Sequence, residues 1–140
     1  MATISINPLD LDANLFIGVK IPLYFSDVSS FDMNNTTVEH IKTKLKNLIF
    51  TSEGERVMNP TFGCNFNRII FEPNNSSEME FYIDTHIREK ISKWILEVKV
   101  DDIKIDTERL DSKAIDVLII YSIIYEPEKK ETMSFSINMG

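Results

Sequence analysis

Cys64 is the only cysteine in the 140 residues, so no disulfide closes within the chain and no thiolate cluster chelates a metal. Glycine is also sparse, with four, and none stands in a phosphate-cradling loop after a strand or in a Gly-x-Ser-x-Gly elbow. His40 and His86 fall in separate helical segments, neither with a second ligand at short spacing, so no metal centre or cofactor site is expected. Long apolar runs are missing as well. The stretch around Val117-Leu118-Ile119-Ile120 is far short of the roughly 20 residues that span a bilayer. Met1-Ala2-Thr3-Ile4-Ser5 lacks a basic segment followed by an apolar one, so no secretory signal is read, and folding in a reducing cytosol is expected. Cations are outnumbered, 15 Lys and Arg against 22 Asp and Glu, and the net charge of -7 has the wrong sign for nucleic acid or an anionic membrane.

What is present is a composition 43% hydrophobic and 26% charged, which suits a folded domain and not a disordered chain. Residues 1–36 read as an extended N-terminal arm. Asn7-Pro8 and Ile21-Pro22 interrupt helix, and Asn, Ser and Asp dominate from Ser26 to Asn35. Yet Leu15, Phe16, Ile17, Ile21, Leu23, Tyr24 and Phe25 are too apolar for an idle tail. The arm needs a surface, either its own domain or a neighbouring protein.

Residues 37–140 read as one α+β domain, two main helices packed on a small C-terminal antiparallel sheet of about three strands. Thr36-Thr37-Val38-Glu39 fits a capping box, and Val38, Ile41, Leu45 and Leu48 follow at helical spacing as far as Phe50. Ser77-Glu78-Met79-Glu80 fits a second box, followed by Ile83, Ile87, Ile91 and Trp94, with the helix closing near Ile95. Between them, residues 54–63 predict a pair of tight turns around a short extended piece, leading into a brief helix at Phe66 to Phe71, which Glu72-Pro73-Asn74-Asn75 breaks.

Alternation at Val98, Val100, Ile103 and Ile105 predicts a strand with an irregularity at Asp101-Asp102. From Ala114 to Tyr125 both faces are apolar, so that strand is expected to be central and covered on both sides. Glu126-Pro127-Glu128-Lys129-Lys130 is expected to turn the chain. The last strand, Thr132 to Met139, alternates Met133, Phe135, Ile137 and Met139 with polar residues, the pattern of a half-buried edge.

Catalysis is not supported by these residues. A Cys64–His86 nucleophile and base has nothing behind it beyond the two residues. Glycoside hydrolysis needs two carboxyl groups across a cleft; a pair such as Glu53 and Glu72 can be drawn, but Glu53 and Glu55 lie in a solvated turn with no apolar pocket to raise a pKa. No small-molecule substrate is implied.

The stretch from Leu48 to Cys64 resembles a known signature: Thr51, then Gly54-Glu55-Arg56, then Pro60-Thr61-Phe62-Gly63, with Ile70-Phe71-Glu72 beyond. It is similar to the T-even phage baseplate wedge family, which includes the gene W proteins of other contractile phages and a baseplate component of type VI secretion systems. The order of elements matches from about Thr36 onward. Glycines at 54 and 63 permit positive φ, Pro60 fixes a turn, Phe62 anchors the loop, and Arg56 is suited to bracing it through carbonyls or a carboxylate. All five are scaffolding residues.

The resemblance implies a non-enzymatic virion component of a contractile tail baseplate, assembled in the host cytoplasm. Its partners would be other wedge subunits and the tail sheath protein. The sheet would seed sheath assembly by β-augmentation along Thr132, Met133, Ser134, Phe135, Ser136 and Ile137. The arm and first helix would dock on wedge partners. One departure stands out: members often carry Glu-Pro-Arg after the second helix, a motif associated with baseplate contacts, where this chain has Ile95-Leu96-Glu97.

Overall fold

The computed structural model describes residues 8–12, 14–20, 23, 33–66, 75–107 and 114–138. Helix α1 spans Thr37–Phe50, with Thr36 as its N-cap accepting from the Glu39 amide at 3.3 Å. The reciprocal half of the capping box closes on the Asn35 amide, 3.4 Å from Glu39 Oε2. Ile41, Leu45 and Leu48 are buried, as their spacing predicts, and Val38 packs beside them.

Helix α2 spans Ser76–Trp94 and begins ahead of the expected box: the cap is Asn75, whose side chain accepts from the Glu78 amide at 2.7 Å. An Asn side chain caps as well as Ser, so the stronger geometry wins over the Ser-x-x-Glu pattern. Met79, Ile83, Ile87 and Ile91 turn inward. The expected short helix from Phe66 to Phe71 lies, after Phe66, outside the described residues, as do Ile70-Phe71-Glu72 and Met139.

The sheet follows. Strands β3 (Val98–Asp106), β4 (Ala114–Ile123) and β5 (Glu126–Asn138) pair antiparallel in that order, with β4 in the centre. The predicted irregularity in β3 is found between Val100 and Asp102. Ile115, Val117, Ile119, Tyr121 and Ile123 of β4 share the inward face with Met133, Phe135 and Ile137 of β5, and both helices pack on that side. Burying such side chains contributes about 1.5–3 kcal/mol each, so this layer supplies the main driving force for folding.

Two strand expectations are corrected. β4 is not covered on both faces: Leu118 and Ile120 are half-buried, flanked across the ladders by Lys104 and Ser134 and by Asp102 and Thr132. Side chains that combine a polar end with methylene or methyl groups shield an apolar neighbour without a third layer. The chain also turns earlier than expected, at Ile124-Tyr125, and Glu126 to Lys130 already belong to β5. One step along β4, from Ser122 to Ile123, spans Lys130 to Glu126 on β5. Pro127 sits in that irregularity, where no ladder amide is required of it.

Ahead of α1, the described parts of the N-terminal region lie on the domain itself. A short 3-10 turn at Pro8–Leu11 presents Asp10, whose carboxylate accepts from the Thr37 amide at 2.7 Å and its hydroxyl at 2.8 Å. β1 (Gly18–Val19) pairs with β2 (Met33–Asn34), and buried Asn34 reaches Thr43 of α1 at 3.1 Å. Gly18 passes so close to His40 that a Cβ there would overlap the imidazole.

Candidate interaction surface

The sheet leaves two outer edges, and they are treated differently. β3 carries five charged residues in nine, Lys99, Asp101, Asp102, Lys104 and Asp106. Arg88 of α2 donates to the Val100 carbonyl at 3.4 Å, and the Ile103 amide is taken by Asp102's own carboxylate at 2.9 Å. Charge, a bulge and internal capping all blunt an edge against further pairing. On β5, charges and proline stop at Glu131. Thr132 to Asn138 has neither, and among the described residues no strand pairs with its outer side. Met133, Phe135 and Ile137 point into the core while Thr132, Ser134 and Ser136 face out, so what this edge offers a neighbour is its main chain.

The signature loop is built from three turns in succession, with no extended piece between the two that fall wholly within residues 54–63. The Glu55 amide donates to Ser52 at 3.1 Å, Asn59 to Arg56 at 3.3 Å and Phe62 to Asn59 at 3.1 Å. Gly54 occupies the third position of the first turn with φ 87°, and Pro60 the second position of the last. The Gly54 amide then closes onto the Pro60 carbonyl at 2.8 Å. Gly63 has φ 109°, and a Cβ there would overlap the Thr51 carbonyl, which accepts from the Cys64 amide at 2.9 Å.

Arg56 braces this loop through the face of its guanidinium, 3.9 Å above the Phe62 ring, and Phe62 meets Trp94 edge-on at 5.3 Å. The bracing through carbonyls or a carboxylate for which Arg56 is suited falls to a residue that sequence reasoning passed over. Buried Lys90 of α2 pairs with Glu53 and donates to the Thr61 carbonyl at 3.3 Å. A signal was available: Lys90 falls in the apolar stripe, three residues after Ile87 and four before Trp94, where a lysine needs a partner. The result is a fixed loop whose tip, Val57-Met58, stands 93% and 96% exposed.

The titratable groups here are not arranged for chemistry. Burial pushes the Cys64 thiol up to about 12, so it is no nucleophile at neutral pH. Burial also holds His86 and His40 below the usual histidine value, with Lys44 adding to the effect at His40. Asp106 and Asp116 stand opposite each other on the outward side of the sheet, but in an open polar setting where Ser136 donates to Asp116. Glu53 is held by Lys90, and Glu72 lies outside the described residues. Among the described residues no His, Cys, Asp and Glu cluster suits a metal ion, and no helix is long and apolar enough to cross a membrane. In place of Glu-Pro-Arg, Ile95 is buried, Leu96 is exposed, and Glu97 accepts from Lys44 at 2.8 Å while its carbonyl accepts from the Ile124 amide at 3.0 Å.

Comparison with known proteins bears on this geometry. The family model described as baseplate wedge protein gp25 matches residues 35–128. A crystal structure from Geobacter sulfurreducens, described as a "putative tail lysozyme", superposes with a TM-score of 0.66 at 18% identity, covering 75% of this chain and 93% of that one. A chain of the anti-feeding prophage baseplate, solved by cryo-electron microscopy with six-fold symmetry, gives a TM-score of 0.57 at 20% identity, covering 87% and 84%. At these identities the two structures show a shared fold. No curated protein sequence matches the chain.

Proposed function

The chain belongs to the baseplate wedge protein gp25 family, and on that premise we propose that it joins the wedge to the first ring of tail sheath by lending the outer edge of β5 to an incoming strand. Its role in the baseplate is structural and non-catalytic. The observation that carries the finer reading is the contrast between edges: β3 is charged, bulged and capped, whereas Thr132 to Asn138 is plain and unpaired among the described residues. A strand added there gains main-chain hydrogen bonds without displacing any charge, and would template the first sheath contacts.

Residues 37–140 form the wedge domain in this reading, and 1–36 an arm, of which the described parts meet α1. Leu15, Phe16, Val19 and Leu23 remain exposed along it and would meet wedge partners. Gly54, Arg56, Pro60, Phe62 and Gly63 shape the loop without contacting substrate or cofactor. The protein would assemble in the host cytoplasm and end in the tail baseplate. The similarity to the anti-feeding prophage baseplate favours a second setting, another contractile injection device, in which the same edge would serve.

The test is co-purification with the cognate sheath protein and wedge partners. Deleting the chain from Thr132 would strip Met133, Phe135 and Ile137 from the core, so the edge is better disabled by Thr132→Lys with Ser134→Lys, both outward-facing. Sheath retained by the native chain and lost by the folded double variant is the expected result. Equal retention by both, or none by the native chain with its wedge partners present, would overturn the edge reading.

A further inference from the structure

The outer side of β5 does not face open solvent along its whole length. A slot of about 190 Å³ runs beside its last residues, bordered by Phe135, Ser136, Ile137 and Asn138. Among the described residues that border it are inward and outward residues of β5 and none of β4, so it lies beyond the strand's free side and reaches the helix side of the sheet at Ile49, Phe50 and Phe66. The opposite wall is the end of α1 and the chain after Gly63, with Ile49, Phe50, Cys64 and Phe66. Among the described residues nothing charged lines it, and Ser52, Asn65, Ser136 and Asn138 supply its polar part. Phe50 is 63% exposed at the mouth yet stands edge-on to Phe135 at 6.0 Å, and Phe66 lies 5.9 Å from the same ring.

We propose that this slot receives one apolar side chain of the strand that adds to β5, so that the partner is an extended, uncharged segment with a single aliphatic or aromatic anchor. The inference rests on the edge reading above and specifies its occupant. A strand hydrogen-bonded to β5 runs about 4.8 Å from it and turns alternate side chains to the inward face, where the slot is. The volume is below the roughly 300–1,000 Å³ of pockets that hold drug-sized ligands, so it suits a side chain. Because the described walls carry no charge, a charged residue at that position would lose part of its hydration without gaining a countercharge. Main-chain pairing alone has no register, and an anchor would supply one.

Full-length protein is titrated to millimolar concentration with nine-residue Ser/Thr peptides bearing Leu, Ala or Asp at the centre. Amide exchange at Thr132 to Asn138 reports binding. The Leu peptide should protect this segment and bind roughly tenfold or more tightly than the Ala peptide, with the Asp peptide weakest. Phe50→Ser should erase that preference with only a small loss of melting temperature, since the ring is mostly exposed. Asn65→Phe, filling the slot from the loop side, provides a second block should the first variant misfold. Equal protection by all three peptides would overturn the slot and leave the edge reading standing. Protection by none would overturn the edge reading, and the slot with it.

Discussion

β3 and β5 flank the same central strand and bury side chains in the same core, yet their outer sides have opposite characters. On β3 two main-chain groups are answered from within, the Val100 carbonyl by Arg88 and the Ile103 amide by Asp102. On β5 the first six residues carry the charges and the proline, and the seven after them carry none. An unguarded edge invites aggregation in any protein that stays alone. Blunting one edge and leaving half of the other plain favours pairing along one segment. The difference lies in residue chemistry and not in topology, since both strands are equally outermost.

The largest test of that contrast concerns how much of each edge strand is also core. Phe135 is 9% exposed and packs against Phe50 and Phe66, whereas Ile103 on β3 is half-buried. Phe135→Ala should lower the free energy of unfolding by about 3–5 kcal/mol. Ile103→Ala leaves a gap that solvent already reaches and should cost about 1 kcal/mol. Urea unfolding of the two variants measures both. Equal losses would mean that β5 is no more embedded than β3 and that its plain outer side is not set on a rigid support.

Much of this arrangement was legible in the sequence, and the failures share a cause. The helices were readable because capping and period act over four residues, as in Thr36 to Glu39 and the stripe Ile41, Leu45, Leu48. The bulge at Asp101-Asp102 broke an alternation and so was visible. The start of β5 was hidden because Pro127 signals a turn by its own chemistry, and only the register with β4 shows that it sits in an irregularity. Leu118 and Ile120 suggested a covering layer, since a local pattern carries no trace of the cross-strand neighbours Lys104 and Asp102. Lys90 was missed although it interrupts an apolar stripe, because its partner Glu53 is 37 residues away. The candidate edge was readable as an alternating uncharged strand. The slot beside it was not, since its two walls are far apart in the chain.

A second, intermediate test moves one of those walls. Gly63 sets the path of Cys64 to Phe66 along the slot, with a positive φ and no room for a Cβ against Thr51. Gly63→Ala should therefore cost about 2 kcal/mol or more, adding a steric shift to the roughly 1–2 kcal/mol of a left-handed alanine. Gly54 also has a positive φ but open space around it, so Gly54→Ala should cost only the conformational part, about 1 kcal/mol. Thermal melts rank the pair. The slot adds a finer expectation: Gly63→Ala should weaken the preference for a Leu-bearing peptide, and Gly54→Ala should not.

The smallest effect separates the edges by pH. Two lysines of α1 reach one flank each: Lys42 pairs with Glu131 of β5, and Lys44 with Glu97 just before β3, both at 2.8 Å. In each case the lysine's hydrogen bond is the main cause holding the carboxyl below its usual range, against the opposing effect of burial. A carboxyl with a depressed folded pKa stabilises the fold above its ordinary value near 4.5, and that stability is lost as pH falls through the folded value. His40 and His86, held below 6.5 chiefly by burial, add an earlier loss as pH drops under that value. Of the two carboxyls Glu131 is the more enclosed, with side-chain exposure of 16% against 34%, and Lys129 stands by as a second cation. Its contribution should nonetheless stay below about 1 kcal/mol, because Lys42 is itself well exposed to solvent. Glu131→Gln should flatten the acid limb of stability below pH 4.5 more than Glu97→Gln does, while both keep the loss that begins under pH 6.5. A larger flattening by Glu97→Gln would place the stronger tether at β3, and β5 would then be held by its core side chains alone.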